Sequence, residues 1–350
     1  MSERDAASGT PARKDAHLAL CTEREVEHRR GSLLDQVHLL HDSLPELAIS
    51  DVDLSLELFG RRLQAPIAIS GMSGGTANGR ELNRALATAA QKFGLAMGVG
   101  SQRAMLEQPE LVESFRVRDV APDILLLANL GCVQARDAGV ARVAELVEAI
   151  RADAICIHLN PAQELVQDEG DRDFRGCLDA IAELVDELHV PIVVKETGCG
   201  LSPATLARLA SVGVEWVDTS GAGGTTWTGI ESMRGGTRQQ ALGAELREWG
   251  IPTAASITYA RRAGLRIIAS GGIRTGLDAA RAIALGAHAV GLALPFLRAF
   301  ASGGVPEVLN ATAALVESLR SIALLVGAAS LDALRAAPRV LGAELRSWID

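Results

Sequence analysis

Eight short apolar runs, each followed by a polar or glycine-bearing loop and then a stretch of helical periodicity, organise residues 66–300. The runs fall at 67–70, 96–100, 124–129, 154–158, 192–195, 216–220, 267–270 and 289–293. Helical patterns separate them at 78–93, 109–117, 140–150, 174–187, 203–212, 253–263 and 278–285. Strands joined through a helix pair in parallel, because the crossover returns each to the same end of the sheet. Eight such units close a (β/α)8 barrel. A doubly wound sheet typically uses fewer strands, and no GxGxxG follows the first run. The expected fold is therefore α/β, a single TIM barrel domain over 13–350. An arm and small cap precede the barrel (about 66–300), and helices fill 301–350. Residues 1–12, small and polar, are expected to be disordered.

Composition narrows the partners. A net charge of −9 disfavours nucleic acid or an anionic membrane as the main partner, so an anionic ligand has to be drawn in by a local cluster of basic groups. The five cysteines show neither CxxC nor zinc spacing, which suits reduced thiols. No secretory pattern opens the chain, and no apolar run approaches the ~20 residues of a membrane span. A cytoplasmic protein is expected.

Polar residues gather where the strands end, which in such barrels is the catalytic face. The first strand runs into Ser70-Gly71-Met72-Ser73-Gly74-Gly75, the second into Ser101-Gln102-Arg103, and the third ends at Asn129. The fourth ends in His158-x-Asn160-x-x-Gln163-Glu164, the fifth in Lys195-Glu196, the sixth in Ser220 before a glycine run to Thr225. The seventh ends in Gly271-Gly272-x-Arg274, where two glycines let backbone N–H groups approach an anion and Arg274 adds a fork-shaped donor. The loops after strands 7 and 8 are the usual phosphate site of this fold, and a flavin phosphate is the expected occupant.

Single residues have dull readings: a glycine loop is a turn, a strand-end serine caps the next helix, and a lone carboxylate is a solvated one. Their convergence favours function. Lys195 closes an apolar strand and needs an anion if it points into the barrel; a reduced flavin ring would supply one. Asn129 offers a donor and an acceptor to the ring's polar edge. Met72 among small residues suits a flat apolar ligand, although Met more often fills a core. Glu164, without a companion, is too little for zinc but is a fair anchor for Mg²⁺, which takes its other ligands from water and phosphates. Arg13, Lys14 and His17 place three potential cations within five residues, an arm able to fold over a diphosphate. The insertion at 221–250, with eight glycines and Trp227, is long enough to be a lid or substrate wall.

These motifs together resemble one family. SGMSGG (70–75), GSQRA (100–104), NLG (129–131), HLNPAQE (158–164), VKETGCG (194–200), DTSGAGGTTW (218–227), WGIPT (249–253) and SGGIRTGLDAARAIALGA (270–287) are similar to those of type II isopentenyl-diphosphate isomerases, and RKDAH (13–17) looks like that family's substrate clamp. The resemblance implies an FMN- and Mg²⁺-dependent barrel that interconverts isopentenyl and dimethylallyl diphosphate, with its flavin reduced by NADPH. By position it gives FMN to Gly71, Met72, Ser73, Ser101, Asn129, Lys195, Ser220, Thr225, Gly271, Gly272, Arg274, Ala293 and Leu294. Substrate falls to Arg13, Lys14, Ser101, Gln102, Arg103, His158, Asn160 and Gln163, and Mg²⁺ to Glu164. Gln163, Lys195 and His158 are the implied catalytic residues. Relatives by resemblance are tetramers or octamers, so a homo-oligomer is expected. Ser73 and Thr197 depart mildly from the family pattern, which more often has threonine and valine there.

The rival reading is an FMN oxidoreductase of the 2-hydroxy-acid oxidase kind, which needs a histidine after strand 6 or 7. The 221–250 segment contains none.

Overall fold

The computed structural model describes residues 10–350; most of the segment expected to be disordered (1–12) lies outside them. Eight parallel strands close the barrel: β1 (Ile67–Ile69), β2 (Ala96–Gly98), β3 (Leu125–Gly131), β4 (Ala154–Leu159), β5 (Ile192–Glu196), β6 (Trp216–Asp218), β7 (Arg266–Ser270) and β8 (Ala289–Leu292). Each pairs with its sequence neighbour, and β8 returns to β1. Both faces of these strands are covered, so they read as unbroken apolar runs.

Two cores result from the two-residue period of the strands. Outward residues such as Ile67, Ile69, Met97 and Leu126 pack against the helical ring. Inward ones, including Ala68, Ala96, Leu125, Leu127, Val193, Trp216 and Ile268, fill the barrel. The barrel floor is closed by a feature the sequence reading passed over, an antiparallel hairpin of residues Leu56–Leu58 and Arg61–Leu63. It inserts Leu58 and Leu63, 2% and 1% exposed, into the interior cluster. Burial of such a side chain stabilises by roughly 1.5–3 kcal/mol. Phe59 stacks edge-on against Trp216 at 5.0 Å, and Arg61 pairs with Asp153 at 2.8 Å.

Other expectations need correction. The polar loop after β4 begins as a helix, Pro161–Val166, and the 221–250 segment holds two, Trp227–Arg234 and Thr237–Glu245. Its glycines punctuate short helices rather than make one long irregular loop. Residues 109–114 form a 3-10 turn rather than an α-helix. Strand 37–39 pairs antiparallel with 339–341, tying the two ends of the described chain together.

The helix Leu294–Leu325 is long and apolar enough, by length and composition, to cross a membrane, contrary to the sequence expectation. It is two helices joined at Gly303 and Gly304, with Gly304 at φ 63°. Leu315 and Leu319 lie in the outer core.

Candidate functional site

A cavity of about 1540 Å³, counting its open mouth, sits at the C-terminal ends of the barrel strands. It is lined by Gly71, Met72, Ser101, Asn129, Lys195, Ser220, Thr225, Gly271, Gly272, Arg274, Ala293 and Leu294 on the side assigned to the flavin. Arg13, Lys14, Arg103, His158, Asn160, Gln163 and Glu164 line the same cavity.

Two expected residues do not line it. Gln102 is fully buried; its Nε2 donates to the Leu146 carbonyl at 3.0 Å and its Oε1 accepts from the Asn129 amide at 3.1 Å. Its side chain bolts β3 to the helix Cys132–Ala149 and is not available to a substrate. The Ser73 hydroxyl is buried without a hydrogen-bond partner, beside Gly79 of the next helix. The loop turns this side chain away from the cavity because its carbonyl is held by Gly100 N and Asn83 Nδ2.

The flavin side has a polar floor and an apolar wall. Asn129 donates to the Val99 carbonyl at 3.1 Å, and its Oδ1 lies 2.8 Å from His158 Nδ1. One N–H and one lone pair remain free for a ligand. Met72, Leu294 and Leu297 provide apolar surface. At the far end Gly271 and Gly272 take φ of 97° and 78°, a region that favours glycine. Their close packing demands it: a Cβ on Gly272 would fall 2.4 Å from the Gly223 carbonyl oxygen. In the helix starting at Leu294, Pro295 has no N–H and those of Phe296 and Leu297 donate to the Ala293 carbonyl, so only Leu294 in this first turn has an N–H left for an anion. This donor set fits the phosphate, and the floor fits the polar edge of a flat ring. Arg274 differs from expectation. It borders the cavity, but its guanidinium is forked onto Glu27, which also takes Arg298 at 3.3 Å. Carboxylate geometry matches the fork as well as phosphate does.

The other side is a cluster of cations, in which Arg103 already lies 3.6 Å from Glu107 and 3.9 Å from Asp171. Burial, then the positive charge of Arg103, lowers Arg13 below its ordinary value. Burial, then Arg13, brings Lys14 down to about 7. The Lys14 ammonium donates to the carbonyls of Gly74 (2.7 Å) and Ser101 (2.8 Å), which anchors the arm to the ends of β1 and β2. His158 is lowered to about 4 by burial, then by Lys195 and Lys14, and is neutral near pH 7. An arriving diphosphate reverses the sign of this field. With Lys14 held near 7, binding of the expected anion would favour its protonated form at higher pH. Diphosphate binding at pH 8 is therefore expected to take up close to one proton. Titration calorimetry in buffers of different ionisation enthalpy reads the number directly, and Lys14→Met abolishes the uptake. Buffer-independent heats in the wild type would contradict this.

Glu164 sits in the first turn of its short helix, 8% exposed. Asn160 Nδ2 donates to one carboxylate oxygen and the Asp171 amide to the other, each at 2.8 Å. Each oxygen keeps a lone pair directed elsewhere. Among the described residues no group of three or more His, Cys, Asp or Glu could hold a metal. The donor set fits Mg²⁺, which needs only one or two protein carboxylates when phosphates complete the shell.

The sequence reading missed Glu231 altogether. It is 2% exposed, lies 2.9 Å from His17 Nε2 and 2.6 Å from Arg234, and accepts from Gln163 Nε2 at 3.1 Å. Burial pushes its carboxyl up, but His17, Arg234 and Gln163 outweigh that and hold it below its ordinary value. His17 also meets Trp227 edge-to-face at 5.1 Å, and both line the cavity. The arm helix (Thr10–Glu23), the helix after β4 and the helix after β6 thus converge on one buried carboxylate.

A parallel barrel with a glycine-rich turn after β7 and a lysine at the C-terminal end of β5 fits one class, the FMN-dependent barrels. The family described as FMN-dependent dehydrogenase matches residues 6–120 and 157–340. A mandelate oxidase variant solved with an FMN adduct superposes with a TM-score of 0.62 at 18% identity, covering 97% of this chain and 95% of that one; this shows the shared fold. Sequence relatives are nearer. Isopentenyl-diphosphate delta-isomerases of Halobacterium salinarum and Pyrococcus furiosus are 46% and 43% identical, over 97% and 99% of this chain and 96% and 90% of theirs. That of Synechococcus sp. is 52% identical over 84% of this chain and 86% of its own. The chain belongs to the isopentenyl-diphosphate delta-isomerase family, and it is an enzyme of the isomerase class.

Proposed function

We propose that the protein interconverts isopentenyl and dimethylallyl diphosphate in isoprenoid biosynthesis, using reduced FMN and Mg²⁺, with NADPH as reductant. The observation that carries this reading is the half-buried cluster of Arg13, Lys14 and Arg103 beside Glu164, which shares one cavity with the flavin floor. Such a cluster is costly without a multiply charged anion. Arg13, Lys14 and Arg103 hold the diphosphate, with Ser101, His158 and Asn160 around it, and Glu164 would hold a Mg²⁺ that offsets the diphosphate charge. Leu18 and Met72 offer the prenyl end an apolar wall.

Moving the double bond requires a proton delivered to C4 and another removed from C2, with a tertiary cation between. When bound, reduced FMN would supply acid–base chemistry for these steps. Gln163, tethered to Glu231 and to Asn160, orients the allylic side. Trp227 and His17 shield the site from water.

The 2-hydroxy-acid oxidase reading needs a histidine after β6 or β7. The cavity's histidines, His17 and His158, come from the N-terminal helix and β4 instead. We further place the enzyme in the cytoplasm, acting on a small molecule and on neither nucleic acid nor membrane. A homo-oligomer of four or eight copies is the assembly the family resemblance implies.

The test is anaerobic incubation with FMN, NADPH, Mg²⁺ and isopentenyl diphosphate, following product by NMR in D₂O. Dimethylallyl diphosphate formed only when the flavin is reduced is the expected result. Bound flavin without isomer would overturn the reaction, and failure to bind flavin would overturn the site.

A further inference from the structure

Lys195 was expected to await an anionic ligand as its partner. It already has one. Its Nζ lies 2.9 Å from Oδ2 of Asp218 and 3.3 Å from the Ser270 hydroxyl. Ser270 in turn donates to the other Asp218 oxygen, Oδ1, which also accepts from the Ser220 amide at 3.2 Å. The sheet register builds this arrangement. Lys195 and Asp218 are direct cross-strand partners on β5 and β6. Ile268 on β7 is the partner of Asp218, and Ser270, two residues on, shares its face.

Lys195 and Asp218 are 9% and 4% exposed. Asp218 lines a small gap inside the barrel, which shares Lys195, Asn129 and Gly71 with the main cavity. It does not line the main cavity. Lys195 therefore stands between the flavin side and a buried carboxylate beneath it.

We propose that Asp218 is a positioning residue that fixes Lys195 on the barrel axis and offsets its charge, and so sets how strongly the site favours reduced over oxidised FMN. The inference rests on the FMN-binding reading of the cavity. A bare buried ammonium facing the ring would strongly stabilise the anion of the reduced ring. An ammonium met by a carboxylate at 2.9 Å presents mainly a dipole, whose field on the ring is weaker. The wild-type site is thus tempered, and binds both flavin states without committing all of its lysine's charge to one.

The test measures dissociation constants of oxidised and reduced FMN, and the midpoint potential of the bound flavin, on the full-length protein. Asp218→Asn keeps the shape and removes the charge, leaving the ring as the strongest counter-charge for Lys195. The ratio Kd(oxidised)/Kd(reduced) is expected to rise at least tenfold, which for a two-electron couple is an upward shift of about 30 mV. Ser270→Ala keeps the pair but strips Asp218 of its hydroxyl donor, so the carboxylate draws harder on Lys195 and the ratio falls. An unchanged ratio in flavin-loaded Asp218→Asn overturns the proposal. If that variant does not fold or load, Ser270→Ala decides it by the same measurement, and no fall in the ratio overturns it. A wild type that binds no FMN would instead overturn the cofactor reading, which separates the two failures.

Discussion

Replacing Gln163 by glutamate is expected to cut turnover by roughly two orders of magnitude while FMN occupancy stays full. Gln163 Nε2 lies 3.1 Å from an oxygen of the buried Glu231, and Asn160 Nδ2 approaches Gln163 Oε1 at 3.3 Å. The amide is satisfied at both ends because one end donates and the other accepts. A glutamate offers only acceptors when ionised. Set against Glu231 it creates two carboxylates at hydrogen-bond distance, and these cannot both stay charged in a buried site. A group that swings away relieves this repulsion, and in doing so displaces the side chain proposed to orient the allylic end of the substrate. A misplacement of about 1 Å can cost on the order of 10²-fold in rate. Flavin loading is spared because Gln163 bonds to none of the floor residues. Steady-state turnover alongside flavin absorbance checks this. Near-normal turnover in a fully loaded variant would remove Gln163 from the machinery.

The barrel was legible because its constraint is periodic and cumulative. A parallel strand buried on both faces must be apolar throughout, so an abrupt polar residue marks its end. That is how Asn129, His158 and Lys195 could be placed at the cavity before any coordinates. Asp218 carried the same kind of signal. Trp216 and Asp218 share a face, so an inward tryptophan implies an inward carboxylate beside Lys195. Extending that strand to Ser220 hid it, whereas the strand ends at Asp218 and Ser220 takes φ of 33°. Gln102 and Ser73 were misplaced for a different reason. Both lie in loops flush with the cavity, and only hydrogen bonds to partners distant in sequence, Leu146 and Gly100, decide which way each side chain points. Glu231 had no local signal. It stands in a glycine-rich stretch that reads as loop, and its partners His17 and Gln163 are separated from it by more than sixty positions. The hairpin at 56–63 was lost because its short strands carry Glu57, Arg61 and Arg62 and so lack the unbroken apolar run that marks the barrel strands.

Removing the Glu231 carboxylate is expected to have the largest effect of any single change around the substrate. Glu231→Ala leaves His17, Arg234 and Gln163 without a shared acceptor inside a region already crowded with positive charge. Breaking a buried pair by deleting one partner costs about 3–5 kcal/mol, because the remaining charge is uncompensated. Here that cost falls on one seam, between the arm helix and the helices after β4 and β6. Lys14 still anchors the arm to Gly74 and Ser101, so the arm loosens rather than detaches. The expected result is a large rise in KM for the diphosphate, faster proteolytic cleavage near residues 10–23, and a lowered melting temperature, with FMN affinity little changed. Glu231→Gln keeps an acceptor for one neighbour and should lie between the alanine variant and the wild type. The split between substrate and flavin is the decisive readout, because a general loss of folding would weaken both. If KM and protease sensitivity stay at wild-type levels in Glu231→Ala, the arm is held by Lys14 alone, and the convergence on Glu231 is packing without consequence for binding.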